Sequence, residues 1–586
     1  MRKAALIAVM VLACGGGQTH ANLFSTNWQD DGGSSIAALQ QKIGAARAAI
    51  GADVAVGVAG NSDKLVGVSL AGGAPWSFAH AIDVRPTITG SVVVAEGGGE
   101  LFCLDAASGR KLWGRDVGSL AMRGAGDDGK VTVVSLKGAQ TALVLAISRD
   151  GAVVRQVDAP DTVGVPAMFG GYAFVPWSYQ YVSVLDLSSG DEAGRVLARG
   201  KVSHAFTASG ALFFGEQDLF RFDERIKDAS RNHATRISLP QRELPGTPSL
   251  MASGEDKIGP VATALDKTRM YAHPSSGEPI AFDAQRFYGT YFRLAMAFDT
   301  HSTKLAWVYS GKVELLSAAA GPSSFVVCNE DGSVVILDAR TGGMERELSL
   351  GGPIKSCVVQ ADGLAAQTAQ PAPPLAQQIA VALTNRDSEM ISGQRLLLRE
   401  IATLDDEAVT KTLVDLASNP LTAPLLIADA RVALAARRSG AKYMLDALAL
   451  HYDFLHDVLL TPPVGPMAQA LAAMKEKSAA PLLAAHLLDP ADTDDDVKQA
   501  AAALVDLGDA SEVPALKQFM TLYRASADSE GVAGAVVSAG QSLLLYGGAD
   551  GRKLVDQALA DPMTLDAVKS RLSAVEQQVD AQHKAK

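Results

Sequence analysis

The sequence predicts a multidomain protein that is all-β and then all-α: a seven- or eight-bladed β-propeller followed by an α-helical solenoid. A strand-turn-strand pattern recurs at intervals of roughly 40 residues, the period of a four-stranded propeller blade. Beyond it, helical spacing replaces β-alternation, and 586 residues are too many for a single hydrophobic core. We expect a signal peptide at 1–13, a tether with a short helix at 14–51, the propeller at 52–365, a linker at 366–377 and helical repeats at 378–586.

Composition places the chain among folded proteins. Hydrophobic residues make up 48% of the chain and charged residues 20%, which argues against extensive disorder. The net charge of -12 is modest for this length, and no block of consecutive Lys or Arg is present to follow a phosphate backbone. We therefore expect no nucleic-acid partner.

The N-terminus has the pattern of an export signal. Arg2 and Lys3 precede an apolar run of ten residues that ends at Ala13, and Cys14 follows directly. Ten residues are too few to cross a bilayer core of about 30 Å as a helix. Cleavage after Ala13 or after Ala21 would in either case give an exported protein.

Residues 11–14, Val-Leu-Ala-Cys, resemble a bacterial lipobox, although Leu12 is an unusual choice at its position. The resemblance implies that Cys14 becomes the lipid-modified first residue of a mature lipoprotein. By analogy with enteric lipoproteins, Gly15 after this Cys implies an outer-membrane location facing the periplasm. A plain secretory signal without a lipid is the alternative.

Cysteine usage excludes a disulfide framework. Apart from Cys14 the chain has Cys103, Cys328 and Cys357, so at most one disulfide forms among them. Each lies in an apolar, strand-like run, which favours a buried thiol. Cys328 and Cys357 could meet across adjacent strands, but their pairing stays open without geometry. The sequence contains no CxxC motif.

The clearest repeat runs from Gly99 to Trp113. Asp105 opens its turn, where an Asp side chain caps backbone amides, and Gly109 supplies the positive φ that reverses the chain. All but one of the intervals between successive turns are close to the period of a blade, about 40 residues. The exception, from Asp223 to Asp299, is Pro-rich and nearly twice as long, so it predicts either long loops or one more blade, hence seven or eight blades. The turns begin at Leu70, Asp105, Ser148, Asp186, Asp223, Asp299 and Asp338.

The pattern L-D-x-x-[ST]-G-x-x-x-W resembles the repeat of the PQQ-type quinoprotein propellers, over roughly residues 52–365. That family includes PQQ-dependent alcohol dehydrogenases and outer-membrane assembly lipoproteins, so the resemblance implies the architecture more firmly than an activity. We expect the repeated turn residues to be structural. They are Asp105, Gly109, Trp113, Asp186, Gly190, Asp299, Trp307, Asp338 and Gly342.

Helical spacing begins after the Pro- and Gln-rich segment 367–377. Residues 497–516 predict a helix, a Gly-Asp turn and a second helix with Pro514 near its start, and they resemble a HEAT-type repeat. A generic helical bundle is the alternative. Comparable turns recur at intervals of roughly 35 residues, a length typical of helical repeats. They lie at Asp405, Gly440, Glu476, Gly508 and Gly548.

The sequence lacks the motifs of catalysis. Quinoprotein dehydrogenases carry adjacent cysteines, calcium ligands and a catalytic Asp, and no adjacent Cys pair occurs here. Capping explains the recurring turn aspartates without catalysis. We therefore predict no catalytic residue, no cofactor and no metal site.

Two smaller features have ordinary explanations. His451 and His456 are five residues apart, whereas a shared helix face needs a spacing of three or four. The acidic run from Asp492 to Asp496 precedes a predicted helix, where negative charge is favourable. Calcium binding at this run is the alternative.

Loop aromatics are the candidate anchors for a protein partner. We name Trp177, Tyr179, Tyr181, Tyr288 and Tyr291, with packing inside a blade as the alternative. The sequence thus predicts a non-catalytic envelope lipoprotein that acts as a protein-protein interaction scaffold in outer-membrane protein assembly. The alternatives are a PQQ-dependent oxidoreductase and a sensor propeller that binds a small ligand or a polysaccharide.

Overall fold

The chain folds as two compact units, Met1–Pro373 and Pro374–Lys586, and their boundary lies inside the expected linker. We describe them from a computed structural model. Cys14 and the signal segment lie outside the described residues. The described residues are 23–25, 34–44, 46–48, 51–197, 201–208, 210–215, 219–222, 234–237, 268–271, 286–299, 302, 304–451 and 462–585.

The first unit is built from short strands. The first fourteen are β1 (Val54–Ala59), β2 (Lys64–Ser69), β3 (Trp76–Ala79), β4 (Thr87–Thr89), β5 (Val92–Gly97), β6 (Glu100–Asp105), β7 (Lys111–Asp116), β8 (Ala121–Asp127), β9 (Val131–Lys137), β10 (Ala142–Ser148), β11 (Val153–Ala159), β12 (Ala167–Phe169), β13 (Tyr172–Trp177) and β14 (Tyr181–Asp186). The others are β15 (Glu192–Leu197), β16 (His204–Ala208), β17 (Ala211–Gly215), β18 (Leu219–Phe222), β19 (Ala234–Ile237), β20 (Thr268–Tyr271), β21 (Arg286–Tyr291), β22 (Leu294–Asp299), β23 (Leu305–Ser310), β24 (Leu315–Ala320), β25 (Ser324–Asn329), β26 (Ser333–Asp338), β27 (Met344–Ser349) and β28 (Ile354–Gln360).

These strands form a β-propeller. In the described part of the chain they make seven antiparallel sheets of four strands each, the blades. Six blades follow the chain from β4 onward, and the first blade has the order β28-β1-β2-β3. The leading strands β4, β8, β12 and β16 touch in succession, β20 contacts β24, and β28 contacts both β24 and β4. The last strand of the propeller therefore completes the first blade and closes the ring.

The hydrophobic core lies between the faces of adjacent blades. In the second blade Val93 and Phe102 pack with residues of the first blade, whereas Val94 and Cys103 pack with residues of the third. Both faces of a central strand are therefore buried, which explains why these strands are continuously apolar rather than alternating.

The segment before the propeller packs on it. We expected a tether followed by a helix, and a helix, α1 (Ser34–Ile43), is present. Its Leu39 and Ile43 are buried in a cluster with Phe169 and Phe174 of the fourth blade. Phe24 is also buried, with its ring 5.7 Å from that of Trp177. Within the expected tether, Phe24 therefore has an aromatic site on the fourth blade.

One disulfide crosses the closure of the ring. Cys328 in β25 is bonded to Cys357 in β28, which settles the pairing that the spacing left open. The bond links the seventh blade to the strand that completes the first. Cys103 is a free, fully buried thiol, and burial raises its pKa to about 12.

The second unit is helical. Its helices are α2 (Leu375–Leu383), α3 (Ile391–Ala402), α4 (Glu407–Ser418), α5 (Pro424–Ala435), α6 (Ala441–Leu448), α7 (Val464–Met474), α8 (Ala480–His486), α9 (Asp494–Leu507), α10 (Val513–Tyr523), α11 (Glu530–Tyr546), α12 (Gly548–Ala560) and α13 (Asp566–Ala585). Two 3₁₀ turns, Ser388–Met390 and Lys477–Ala479, precede α3 and α8.

From α3 onward these helices form two rows. In the first row α3, α5, α7, α9, α11 and α13 each contact the next member, and in the second row α4, α6, α8, α10 and α12 do the same. The rows also pack against each other, as α4 does against α5. This is the layered arrangement of a helical repeat array.

The five predicted turns fall at equivalent places in this array. Asp405, Gly440, Glu476, Gly508 and Gly548 each lie where a first-row helix ends and a second-row helix begins. Gly440 adopts the left-handed conformation with φ of 76°. No helix among the described residues is long and apolar enough to cross a membrane.

Candidate functional site

The repeated turn begins with an Asp that caps its own chain reversal. Asp105 Oδ1 accepts hydrogen bonds from the backbone N–H and the hydroxyl of Ser108, at 2.9 and 2.7 Å. The same pair of bonds joins Asp186 to Ser188, Asp299 to Ser302 and Asp338 to Thr341. These carboxylates stabilise the turns that the sequence assigned to them.

A Trp of one blade packs on the turn of the next blade and donates a hydrogen bond to it. Trp76 Nε1 donates to the carbonyl of Ala106, and Trp307 Nε1 donates to that of Ala339, both at 3.0 Å. In the first of these turns Gly109 has φ of 69°, and a Cβ there would lie 2.4 Å from the Trp76 ring. Both the backbone conformation and the ring contact therefore require glycine.

Two blades in the described part of the propeller use Arg at the position of this Trp. Arg155 in β11 donates to the carbonyl of Leu187, at 3.1 and 3.2 Å, in the turn of the fourth blade. Arg346 in β27 donates to the carbonyl of Ala71 in the turn of the first blade. In these four joints a long side chain donates an N–H, and either Trp or Arg supplies it. Gly190 and Gly342 occupy the equivalent place in their own turns.

Trp113 occupies the same position but lacks the bond. It lies against Gly151 in the turn of the third blade, which begins with Ser148 instead of Asp. Its ring N–H is buried and has no hydrogen-bond partner within the described residues. The motif is therefore an interblade joint, and the Trp contacts the following blade rather than its own hairpin.

Three of the five candidate anchors are not available at the surface. Trp177, Tyr288 and Tyr291 are 3%, 0% and 7% exposed. Tyr288 stacks on Phe325 with ring centroids 4.3 Å apart, and burial raises the pKa of its hydroxyl. Packing inside and between blades, the alternative interpretation, accounts for these side chains because all three lie in paired strands.

Trp177 and Tyr181 belong to a polar and aromatic cluster on the fourth blade. Their rings stack at 4.7 Å, and the Arg195 guanidinium lies 5.0 Å from the Trp177 ring centroid. Arg195 Nε donates to Glu192 Oε1 at 2.6 Å, and both side chains of this pair are buried. Arg195 also donates to the carbonyl of Ser25. The cluster therefore holds the segment that precedes the propeller.

Tyr179 is the candidate anchor that the structure exposes. It is 41% exposed at the tip of the hairpin between β13 and β14. Ser178 and Tyr179 both have positive φ, 52° and 59°. This conformation costs a non-glycine residue about 1–2 kcal/mol, and such strain concentrates at functional sites. The Lys201 ammonium lies 4.9 Å from the Tyr179 ring centroid.

The leading strands of the blades line a cavity of about 270 Å³. Thr, Ala and Gly from β4, β8, β16 and β24 make up much of its wall, and Gln360 of β28 adds an amide. Among the described lining residues, Asp362 is the only charged side chain, and none is a cysteine.

The helical domain has its own apolar surface. A groove of about 430 Å³ lies beside α2, α3 and α4, with Leu383, Ile391 and Leu416 among its lining residues. On α5, Leu425 and Val432 are 54% and 75% exposed. They are seven residues apart and so share one face of the helix.

One group of described side chains has the composition of a metal site. His451, His486 and Asp489 bring potential ligand atoms within 4.8 Å of one another, and all three belong to the helical domain. The sequence spacing did not predict this group. His456, which was considered with His451, lies outside the described residues.

Part of the propeller matches the model of a known protein family. Residues 62–220 match the family model described as "Outer membrane protein assembly factor BamB". No curated protein sequence matches the chain.

Among solved structures, the chain resembles BamB from Moraxella catarrhalis, with 16% identity over 52% of this chain and 85% of that one and a TM-score of 0.30. It also resembles apo AztD from Citrobacter koseri, with 11% identity over 55% of this chain and 100% of that one and a TM-score of 0.35. The first unit therefore carries a BamB-like repeat region at residues 62–220, followed in the same chain by a helical domain.

Proposed function

We propose that this protein is an envelope lipoprotein that acts as a non-catalytic scaffold in outer-membrane protein assembly. The observation that carries the proposal is the match of residues 62–220 to the BamB family model. That model describes an assembly factor, and we extend its role to this chain. The helical array supplies a second binding surface that lies outside the matched region.

The chemistry of the propeller supports a scaffold over an enzyme. The turn aspartates are used in capping bonds, and the cavity wall among the described residues has a single carboxylate, Asp362. An incubation with PQQ and Ca²⁺ separates the two functions. We expect neither stoichiometric quinone absorbance nor dye-linked alcohol oxidation. Tight binding accompanied by turnover would overturn the scaffold proposal.

Export is supported by the disulfide and by the N-terminal sequence. A Cys328–Cys357 bond persists in an oxidising compartment and is rare in the cytosol. In the sequence, Cys14 stands where a lipobox places the lipidated residue. The anchor is tested by fractionating cells that express Cys14→Ala. We expect the variant to leave the membrane fraction, and continued membrane association would contradict the lipid anchor.

Two exposed features suit a protein partner. Tyr179 presents a preorganised aromatic side chain at a propeller loop, a residue type enriched at interface hot spots. In the helical domain, Leu425 and Val432 expose an apolar face on α5. We propose that the partner is another envelope protein. Capture of the partner by a photocrosslinking probe placed at Tyr179 tests this proposal directly.

A further inference from the structure

Four side chains of the helical domain converge near the ends of two neighbouring second-row helices. His451 follows α6, His486 ends α8, and Asp489 and Asp492 lie in the turn before α9. His451 Nδ1 is 3.5 Å from Asp489 Oδ2. His486 Nδ1 is 4.0 Å from the same oxygen and 2.9 Å from Asp492 Oδ2. The two imidazole ring centroids are 4.3 Å apart.

Three of these four side chains are buried, and two of the three are carboxylates. The side chains of His486 and Asp492 are 0% exposed and that of Asp489 is 3% exposed. Burying a carboxylate is expensive unless a positive charge and hydrogen bonds compensate it. A divalent cation bound between them would compensate both carboxylates.

One buried carboxylate oxygen of this cluster has no hydrogen-bond partner among the described residues. Asp492 Oδ2 faces His486, but Asp492 Oδ1 is buried and has no hydrogen-bond partner among the described residues. Buried polar atoms normally have a partner, and leaving one unsatisfied costs about 1–3 kcal/mol. A bound cation would satisfy this carboxylate.

The surroundings orient the ligand atoms. His486 Nε2 is 3.0 Å from the carbonyl oxygen of Leu448, which can only accept, so Nε2 carries the proton. Nδ1 is then the nitrogen that can bind a metal, as in metal sites where the other ring N–H donates to a carbonyl. Asp489 Oδ1 accepts from the N–H of Ala491 at 3.0 Å, which leaves Oδ2 directed at the histidines.

We propose that His451, His486, Asp489 and Asp492 bind one Zn²⁺ ion. Tetrahedral zinc bonds of about 2.0–2.1 Å set neighbouring ligand atoms roughly 3.3 Å apart. Three of the ligand-atom pairs are 2.9, 3.5 and 4.0 Å apart, and the ligand atoms of His451, His486 and Asp489 all lie within 4.8 Å of one another. Two imidazoles with two carboxylates suit zinc better than calcium, which takes six to eight oxygens, or Cu(I), which prefers sulfur. The four ligands fill a tetrahedral site, so the metal is structural and ties α6 to the turn between α8 and α9.

Cobalt is the spectroscopic probe for this site. The full chain is purified without an oligohistidine tag, stripped with EDTA and titrated with CoCl₂ near neutral pH. We expect visible absorbance that saturates at one equivalent and has the intensity of tetrahedral Co²⁺, followed by its loss when one equivalent of ZnCl₂ is added. Failure to develop this spectrum would overturn the proposal.

Variants then assign the ligands. His451→Ala removes a side chain that is 37% exposed, so we expect the fold to tolerate it while the affinity for Co²⁺ falls by more than about 100-fold. His80→Ala is the matched control, because His80 also faces a carboxylate, Glu100 at 3.0 Å, but has no second imidazole there. Unchanged cobalt affinity in His451→Ala would overturn the site.

A measurement on the unmodified chain covers the case in which a variant does not fold. X-ray absorption of the zinc-loaded protein reports the zinc ligands directly. We expect four nitrogen and oxygen ligands at about 2.0 Å, with the multiple scattering of two imidazoles. A shell of oxygen alone would mean that the cluster is only a buried ion pair, and it would contradict the proposal.

Discussion

Trp76 and Trp307 serve the same purpose in different blades. Each donates its ring N–H to the carbonyl that follows an Asp in the next blade, and each packs on a glycine of that turn. Arg155 and Arg346 make the corresponding bond with a guanidinium. These four joints share an N–H donor that bridges two blades. An aromatic Trp ring supplies it in two joints and an Arg guanidinium in the other two.

The hydrogen bond in this joint makes a measurable contribution to the free energy of unfolding. We expect Trp307→Phe to lower the free energy of unfolding by about 1–2 kcal/mol more than Trp113→Phe, because only the former leaves a buried carbonyl without its donor. Urea unfolding followed by tryptophan fluorescence measures it, since all five Trp residues lie in the first unit. Equal losses in the two variants would contradict the joint.

His486 should make the stability of the metal-free helical domain depend on pH. Burial disfavours its charged form, but Asp492, the carbonyl of Leu448 and Asp489 together raise its pKa, with His451 also facing the cluster. The resulting stability is fully present below the unfolded-state pKa of about 6.5 and is lost as the pH rises through the raised folded-state pKa.

The pH effect is measured by urea unfolding in EDTA, followed by circular dichroism at the helical band. We expect the advantage of the native chain over His486→Gln to shrink as the pH is raised above about 6.5. An advantage that grows with pH would mean that the imidazole is buried in its neutral form.

At the scale of elements, strand β28 closes the ring of blades. It pairs with β1 across residues that are far apart in sequence, and Cys357 ties it to Cys328 in β25. The disulfide therefore reinforces the one blade that is assembled from both ends of the domain.

Removing this bond should weaken the propeller. In the chain-entropy model, closing a loop across the observed separation of 29 residues contributes roughly 3–4 kcal/mol. We expect the double variant Cys328→Ala and Cys357→Ala to lose unfolding free energy beyond twice the cost of removing one buried thiol. The additional loss should be about 3–4 kcal/mol. Cys103→Ala, at a free and buried cysteine, supplies the cost of one thiol. A double variant that loses no more than twice that cost would contradict the contribution of the bond.

Local patterns in the sequence predicted the elements well. The Asp-to-Gly turns and the five helical turns lie where their spacing put them, because turn chemistry is determined by a few adjacent residues. Exposure was harder to predict. Trp177 and Tyr288 looked like loop anchors, yet they are covered by rings from other parts of the chain, and such long-range contacts leave no local signal.

The histidine cluster was missed for a related reason. His451 and His486 were each considered against neighbours on one helix, although they come from successive helical pairs. Their separation in the chain matches the interval between helical repeats, so they occupy similar positions in adjacent repeats. Aligning the repeats before searching for metal ligands would have brought them together.

At the scale of the molecule, the chain joins two arrays that present different surfaces. The propeller offers loops such as the one at Tyr179, and the helical rows offer an apolar face on α5. The match to the BamB family model covers residues 62–220, which lie within the first array. The scaffold function therefore predicts partner binding most specifically at the propeller loops.

Site-specific photocrosslinking in the native envelope tests that function most directly. A benzophenone amino acid replaces Tyr179 in one strain and Val154 in another, and these residues are equally accessible at 41% and 42% exposed. We predict that the probe at position 179 captures outer-membrane assembly proteins and that the probe at position 154 in β11 captures them far less. Equal capture at the two positions, or capture without any assembly protein, would contradict the proposed scaffold.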